Sequence, residues 1–199
     1  MKYNLSYTAA SLRIHDTLLV AEAMLSNSDL HSVDEQIGKG KMATGKRIRQ
    51  ELTKRLTNLT PQQMDYMVEA GLKDACKVAF LSICKTYDYI HQFVVEVLRE
   101  KFIQFDYQVS DGEYITYYNR KVELHTELET LTESSLYKVK QVLFKILEEV
   151  GIIHSVRNKV LQPQFLSPEV ERLIRKDNPE LLRIFFFSDA DIKQSPFLE

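Results

Sequence analysis

Ser134, Tyr137, Lys138, Gln141 and Lys145 are the side chains whose types and spacing first suggest chemistry. They lie in the stretch TESSLYKVKQVLFKILEEVGIIHSVRNKVLQPQF, Thr132 to Phe165. At about 100° of turn per residue they fall on one helical surface. Two ammonium groups, an amide and two hydroxyls are the groups that grip a nucleic-acid duplex. Lysines neutralise phosphates, while glutamine and lysine carry donors suited to base edges. A few residues on, Arg157 and Lys159 flank Asn158 in a stretch with turn character, which would place two more cations beside the helix end.

A second concentration of positive charge lies in GKGKMATGKRIRQELTKRL, Gly38 to Leu56. Between Lys39 and Arg55 there are seven Lys or Arg and one acid, Glu51. On a helix starting near Thr44, Ile48, Leu52 and Leu56 face one way. Lys46, Arg47, Gln50 and Lys54 face the other, with Arg49 and Arg55 on the flanks. Lys46, Arg47, Arg49 and Lys54 are therefore candidate backbone contacts for DNA.

Gly40 to Lys46 also fits G-x-x-x-x-G-K, the opening of a nucleotide-binding P-loop. Arg47 stands where Mg²⁺ coordination needs Ser or Thr, and no buried strand precedes Gly40, so nucleotide binding is not expected. The five histidines, His15, His31, His91, His125 and His154, show no metal-ligand spacing. Cys76 and Cys84 sit eight apart in a helical segment, about 12 Å along its axis. A disulfide needs less than about 7 Å, so two buried thiols are expected. Glu96, Arg99 and Glu100 read as an ion-pair cluster, and Tyr87, Tyr89 and Phe93 as core. No catalytic residue, metal or cofactor follows.

The elements that must position these groups are helical. Thr132 is a cap for the first helix named above, and Leu136, Val139, Val142, Leu143, Ile146, Leu147 and Val150 form its apolar stripe. Gly151 ends it. Ile152, Ile153, Val156, Val160 and Leu161 are strand formers, and Pro163 stops the second of two short strands, giving one β-hairpin. Upstream, helices are predicted over Ile14 to Leu25, Ser32 to Ile37, Met64 to Ala70, Asp74 to Thr86, Tyr87 to Phe105 and Glu113 to Val122. Pro168 and Pro179 open two more. A soft boundary near Val109 divides an N-terminal helical domain with the basic helix, 1–109, from a C-terminal winged-helix-like domain, 110–199. The predicted class is mainly α: a helical bundle body plus a winged-helix-like unit carrying one short hairpin.

With 199 residues, a net charge of −2 and 44% apolar residues, the chain is that of an ordinary globular protein. Any nucleic-acid contact must come from local patches. The longest uncharged run, Tyr3 to Leu12, has ten residues and is partly polar, so no membrane span and a cytoplasmic location are expected.

Four segments carry a family resemblance: NLSYTAASL, LSICKTYDYIHQFVVEVLREKF, LTESSLYKVKQVLFKILEEVGII and LSPEVERLIRKDNPELLRIF. In this order they resemble the BrxA family of bacterial BREX phage-defence systems, over Asn4 to Phe185. The resemblance implies a non-enzymatic, double-stranded DNA-binding component with other BREX subunits as partners, and a helical part similar to the NusB-like antitermination fold. It offers no catalytic motif to transfer. On the residues that match, it assigns the polar face from Ser134 to Lys145 to DNA. A protein–protein adaptor and an RNA-binding NusB-like protein stay open as alternatives, and the oligomeric state is unassigned.

Overall fold

The computed structural model describes residues 2–194. A 3-10 turn, Ser6–Ala9, precedes α1 (Ile14–Leu25), α2 (Ser32–Ile37), α3 (Met42–Leu56), α4 (Pro61–Glu69) and α5 (Leu72–Thr86). Then come α6 (Asp88–Phe93), a π-helical continuation over Val94–Arg99 and α7 (Glu100–Ile103). The remainder is α8 (Asp111–Val122), α9 (Thr126–Glu129), α10 (Glu133–Glu149), α11 (Pro168–Asp177), a 3-10 segment Pro179–Phe185, and α12 (Asp189–Lys193). The chain is mainly helical.

Polar caps set several of these starts. Thr60 accepts the Gln63 N–H at 3.2 Å while Gln63 Oε1 accepts the Thr60 N–H at 3.0 Å, with Pro61 in the first turn. Ser110 and Glu113 form the same reciprocal pair, so α8 begins at Asp111, two residues before the predicted Glu113. The basic helix likewise begins at Met42 rather than near Thr44.

The predicted β-hairpin is reduced to isolated bridges. Ile153 pairs antiparallel with Leu161, and Gln108 with Val160. Leu161 donates its N–H to the Tyr107 carbonyl at 2.8 Å, and Val109 donates to Lys159 at 2.9 Å, so the stretch Lys159–Leu161 is bonded on both edges over very few residues. Pro163 cannot donate and ends the run. The turn also differs from expectation. Asn158 is not among the residues with positive φ; its N–H instead donates to Ser155 Oγ at 2.9 Å.

One buried cluster runs from Tyr7 to Ile192. At its centre edge-to-face aromatic contacts join three helices: Phe93 meets Tyr117 at 5.1 Å and Phe144 at 5.9 Å, and Tyr89 meets Tyr117 at 5.2 Å. Phe144 lies outside the predicted apolar stripe of α10, yet it is fully buried. Cys84 is buried and Cys76 half-buried, and both are free thiols.

α3 touches α1, α2, α5 and the Ser6–Ala9 turn. Arg55, 2% exposed, projects from it into the core. Its guanidinium donates to the carbonyls of Ser11 at 2.7 Å, Ala10 at 2.6 Å and Tyr7 at 3.5 Å, with Glu51 3.6 Å away. Tyr7 in turn donates its hydroxyl to the Val139 carbonyl of α10 at 3.2 Å. The N-terminal segment is thus fastened on one side to α3 and on the other to α10.

The P-loop-like glycines have structural explanations: Gly40 stands at φ +83° and Gly45 is fixed by packing. α2, not a strand, precedes them, and a Cβ at Gly45 would sit 1.7 Å from the Asp34 carbonyl oxygen. Gly45 is what lets α3 approach α2. Gly45→Ala is expected to cost about 3 kcal/mol in chemical denaturation, because the clash is with backbone. Gly112→Ala, whose Cβ meets nothing closer than 3.6 Å, is expected to be neutral or stabilising by up to about 1 kcal/mol. Equal midpoints for the two variants would exclude the close approach.

Lys77 is buried at 6% exposure and donates to the Val150 carbonyl at 3.1 Å and Gln164 Oε1 at 2.6 Å, with no carboxylate partner among the described residues. Burial lowers its pKa from 10.5 to about 8. Between about 8 and 10.5 the folded chain has released this proton while the unfolded chain keeps it, so rising pH favours folding. The stability of the wild type relative to Lys77→Met is therefore expected to climb across that window and to be flat below it. A pH-independent difference would contradict the buried, unpaired ammonium.

Candidate nucleic-acid interface

The geometry of the candidate face begins with the cap of α10. Thr132 Oγ1 accepts the Ser135 N–H at 3.2 Å and lies 3.0 Å from Ser134 Oγ. At the other end Gly151 adopts φ +77°, and the Ile152 N–H returns to the Leu147 carbonyl at 2.8 Å. Between these ends Val139, Val142, Leu143, Ile146, Leu147 and Val150 are buried, while Leu136 is only partly so. Anchoring one face in the core leaves the opposite one outward.

Ser134, Tyr137, Lys138, Gln141 and Lys145 all lie on that outward face, and Tyr137 is 68% exposed. Lys138 Nζ donates to Gln141 Oε1 at 3.1 Å. Lys145 pairs with Glu148 at 2.6 Å, which raises the lysine pKa and lowers that of the carboxyl. Glu148 also accepts the Val156 N–H at 3.0 Å, so it tethers the segment after α10. An exposed ion pair of this kind contributes only about 0–1 kcal/mol and yields readily to a stronger anion.

The other predicted residues divide. Arg157 is exposed, with no ion-pair partner among the described residues. Lys159 is 16% exposed, pairs with Asp111 at 3.1 Å and lies over the Phe144 ring at 5.3 Å. Lys140, which the sequence does not single out, shares Asp111 at 3.0 Å. On α3, Lys46 and Arg47 are exposed. Arg49 is buried and forms a two-point contact with Asp34, at 2.6 and 3.2 Å, which holds the Asp34 carboxyl below the usual carboxylate range. Lys54 bonds Ser6 Oγ, approaches Glu51 at 3.4 Å and lies over the Tyr87 ring at 5.2 Å.

The fold therefore gathers the five α10 side chains, leaves Arg157, Lys46 and Arg47 outward, and engages Arg49, Lys54 and Lys159 in contacts of its own. It also adds a residue that sequence patterns do not reveal. A groove of about 530 Å³ separates α10 from the segment Thr8–Ser11, and Arg13 lines it together with Lys138, Gln141 and Lys145. Arg13 stands at φ +46°, a conformation with no signal in LRIHD. Among the described residues no group of three or more His, Cys, Asp or Glu is placed to hold a metal ion, and no helix is long and apolar enough to cross a membrane.

Comparison with known proteins bears on the whole chain. A BREX protein BrxA from Escherichia coli O9:H4 (strain HS) is 23% identical over 171 residues, covering 83% of this chain and 80% of the relative. A BREX protein BrxA from Bacillus cereus (strain H3081.97) is 26% identical over 116 residues, covering 56% of this chain and 58% of the relative. The crystal structure of an uncharacterized protein from Magnetospirillum magneticum has the same fold, with a TM-score of 0.79 over 94% of this chain and 98% of its own, at 20% identity. The family model described as BrxA matches residues 1–178, and the chain belongs to the BrxA family.

Proposed function

We propose that this chain is a non-catalytic, double-stranded DNA-binding component of a BREX system, acting in the cytoplasm. The observation that supports this most directly is the outward face of α10. Ser134, Tyr137, Lys138, Gln141 and Lys145 present donors and positive charge over about 16 Å of helix, at 1.5 Å per residue. In this reading residues 110–199 carry the reader, with α10 and the bridged segment after it serving as a winged-helix-like unit on a NusB-like helical body. Tyr137, Lys138 and Gln141, toward the N-terminal half of α10, approach the groove of the duplex. Lys145, released from Glu148, and Arg157 hold flanking phosphates. Lys46 and Arg47 in residues 1–109 supply a second backbone contact. Arg49, Lys54 and Lys159 support these surfaces through Asp34, Ser6 and Asp111 rather than meeting DNA directly.

A second reading is favoured by a different observation. Phe105 and Phe165 are 80% and 71% exposed, and Phe165 lines an open groove of about 600 Å³ with Phe102, Phe185, Phe186 and Phe187. Two exposed phenylalanines, one of them on a groove lined by buried and half-buried aromatics, suit a protein contact. The chain then also serves as an adaptor for other BREX subunits.

Two measurements separate these readings. The doubly charge-reversed variant Lys138→Glu/Lys145→Glu is expected to melt like the wild type and to bind duplex DNA at least about tenfold more weakly, with a salt slope smaller by about two. Undiminished duplex affinity would remove α10 as the reader, and displacement of duplex by single-stranded RNA at equal concentration would make RNA the ligand. The variant Phe105→Ser/Phe165→Ser is expected to keep DNA affinity and to lose co-purification with co-expressed BREX subunits. Retained co-purification would argue against the aromatic surface as the adaptor face.

A further inference from the structure

We propose that the groove beside α10 continues as a single phosphate track over Arg13 to Lys39, so that the two basic segments of the chain engage one duplex. This rests on the DNA-binding reading above and deepens it by naming two contacts and their continuity.

Three observations carry the inference. First, the groove along α10 and a second cavity of about 530 Å³ share Ser11 and Arg13, and Lys39 also lines the second. Arg13 Nη2 also donates to the Ile37 carbonyl at 3.5 Å, which brings the guanidinium to the end of α2, two residues before Lys39. The side chains that the sequence places 99 positions apart, Lys39 and Lys138, therefore border two adjoining depressions that meet at Ser11 and Arg13.

Second, both cations stand on left-handed backbone, Arg13 at φ +46° and Lys39 at φ +50°. That conformation costs an L residue roughly 1–2 kcal/mol where glycine adopts it freely. Strain held at two cations on the rim of one depression is the kind of outlier from which a binding role is inferred.

Third, the cations along the track are either without an ion-pair partner among the described residues or held in partly exposed pairs. The Lys39 ammonium is exposed and has no ion-pair partner among the described residues. Glu149 is occupied by the Leu12 N–H at 2.7 Å and Ser11 Oγ at 3.0 Å, and Glu148 by Lys145 and the Val156 N–H. Arg13 is held by Asp16 in a partly exposed pair that contributes little and can be exchanged for phosphate. Beyond Lys39 the exposed Lys41, Lys46 and Arg47 follow in sequence. Several exposed cations spread over α10, the two cavities and the start of α3 fit successive backbone phosphates better than one small anion.

The test titrates full-length protein with a duplex of about two helical turns at several salt concentrations. Lys39→Asn is the chosen variant because asparagine accepts positive φ. Its salt slope is expected to fall by about one, with affinity reduced to a similar extent on unrelated sequences and an unchanged melting temperature. In parallel, duplex is expected to protect Lys39 and Lys138 of the wild type together from acetylation, while Lys176 on α11 stays reactive. Lys39 acetylated equally with and without duplex, together with a wild-type slope for Lys39→Asn, would overturn the track. If Lys138→Glu/Lys145→Glu still weakens binding in that case, the DNA reading stands and only the continuity fails. If neither set of variants changes binding, both fall.

Discussion

The Arg55 guanidinium is the interaction on which the rest of the structure depends. Beyond the Ala10 N–H to Tyr7 carbonyl bond that closes the 3-10 turn, the segment from Tyr7 to Ser11 has no sheet or α-helix to satisfy its carbonyls, and it is packed against the core. A buried carbonyl without a donor costs about 1–3 kcal/mol, so several of them need a source of N–H groups. Arginine supplies up to five donors in a rigid plane, and here one side chain serves Tyr7, Ala10 and Ser11 at once. Lysine has no such fork. Burial lowers the Arg55 pKa to about 10, which still leaves it charged at neutral pH, and buried Glu51 beside it favours the charged form. Tyr87 completes the arrangement by donating to Glu51. Because Arg55 fixes this segment on α3, and Tyr7 fixes it on α10, the groove beside Lys138 has a second wall at all.

The same residue types do opposite work within one short helix. Along α3, the flanking residues Arg49 and Arg55 turn inward, to Asp34 and to the N-terminal carbonyls. On the polar face Lys54 is met by Ser6 of the N-terminal turn, while Lys46 and Arg47 stay in solvent. The density of seven cations is thus not a uniform phosphate-facing surface. Part of it is scaffold and part is free charge, and only the second part can contribute to counterion release. Burying Arg49 would be costly without Asp34, and the glycine contact that brings α2 close enough to supply Asp34 is the one that mimics a P-loop.

Local signals in the sequence were legible because they depend on neighbours in the chain. Thr132 and Ser167 mark helix starts through contacts three residues away, and α1, α2 and the polar face of α10 follow from periodicity alone, whereas α4 starts at Pro61, three residues before the expected Met64. What was not legible depends on partners distant in sequence. Arg49 meets Asp34 fifteen residues away, Lys159 meets Asp111 forty-eight away, and Phe144 is buried by Phe93 and Tyr114 from two other helices. The strand formers Ile152 to Leu161 have β propensity and pair with each other and with Tyr107–Val109, but over very few residues before Pro163 ends the run, leaving bridges in place of a ladder. The left-handed backbone at Arg13 and Lys39 has no residue signature, since glycine or asparagine is the ordinary choice there.

A net charge of −2 then becomes compatible with a proposed DNA surface. In the free protein Lys145 and Arg13 are neutralised by Glu148 and Asp16, close to the positions where phosphates would lie. These pairs are exposed enough to be weak, and a phosphate that replaces Glu148 at Lys145 leaves Glu148 still satisfied by the Val156 N–H. Asp16 similarly remains in the first turn of α1, where the helix dipole favours its charge. Exchange of carboxylate for phosphate therefore strands no fully buried ion. Association in the proposed complex gains from local re-pairing and counterion release rather than from a strongly positive protein, which makes ionic strength, more than sequence, the variable that sets affinity.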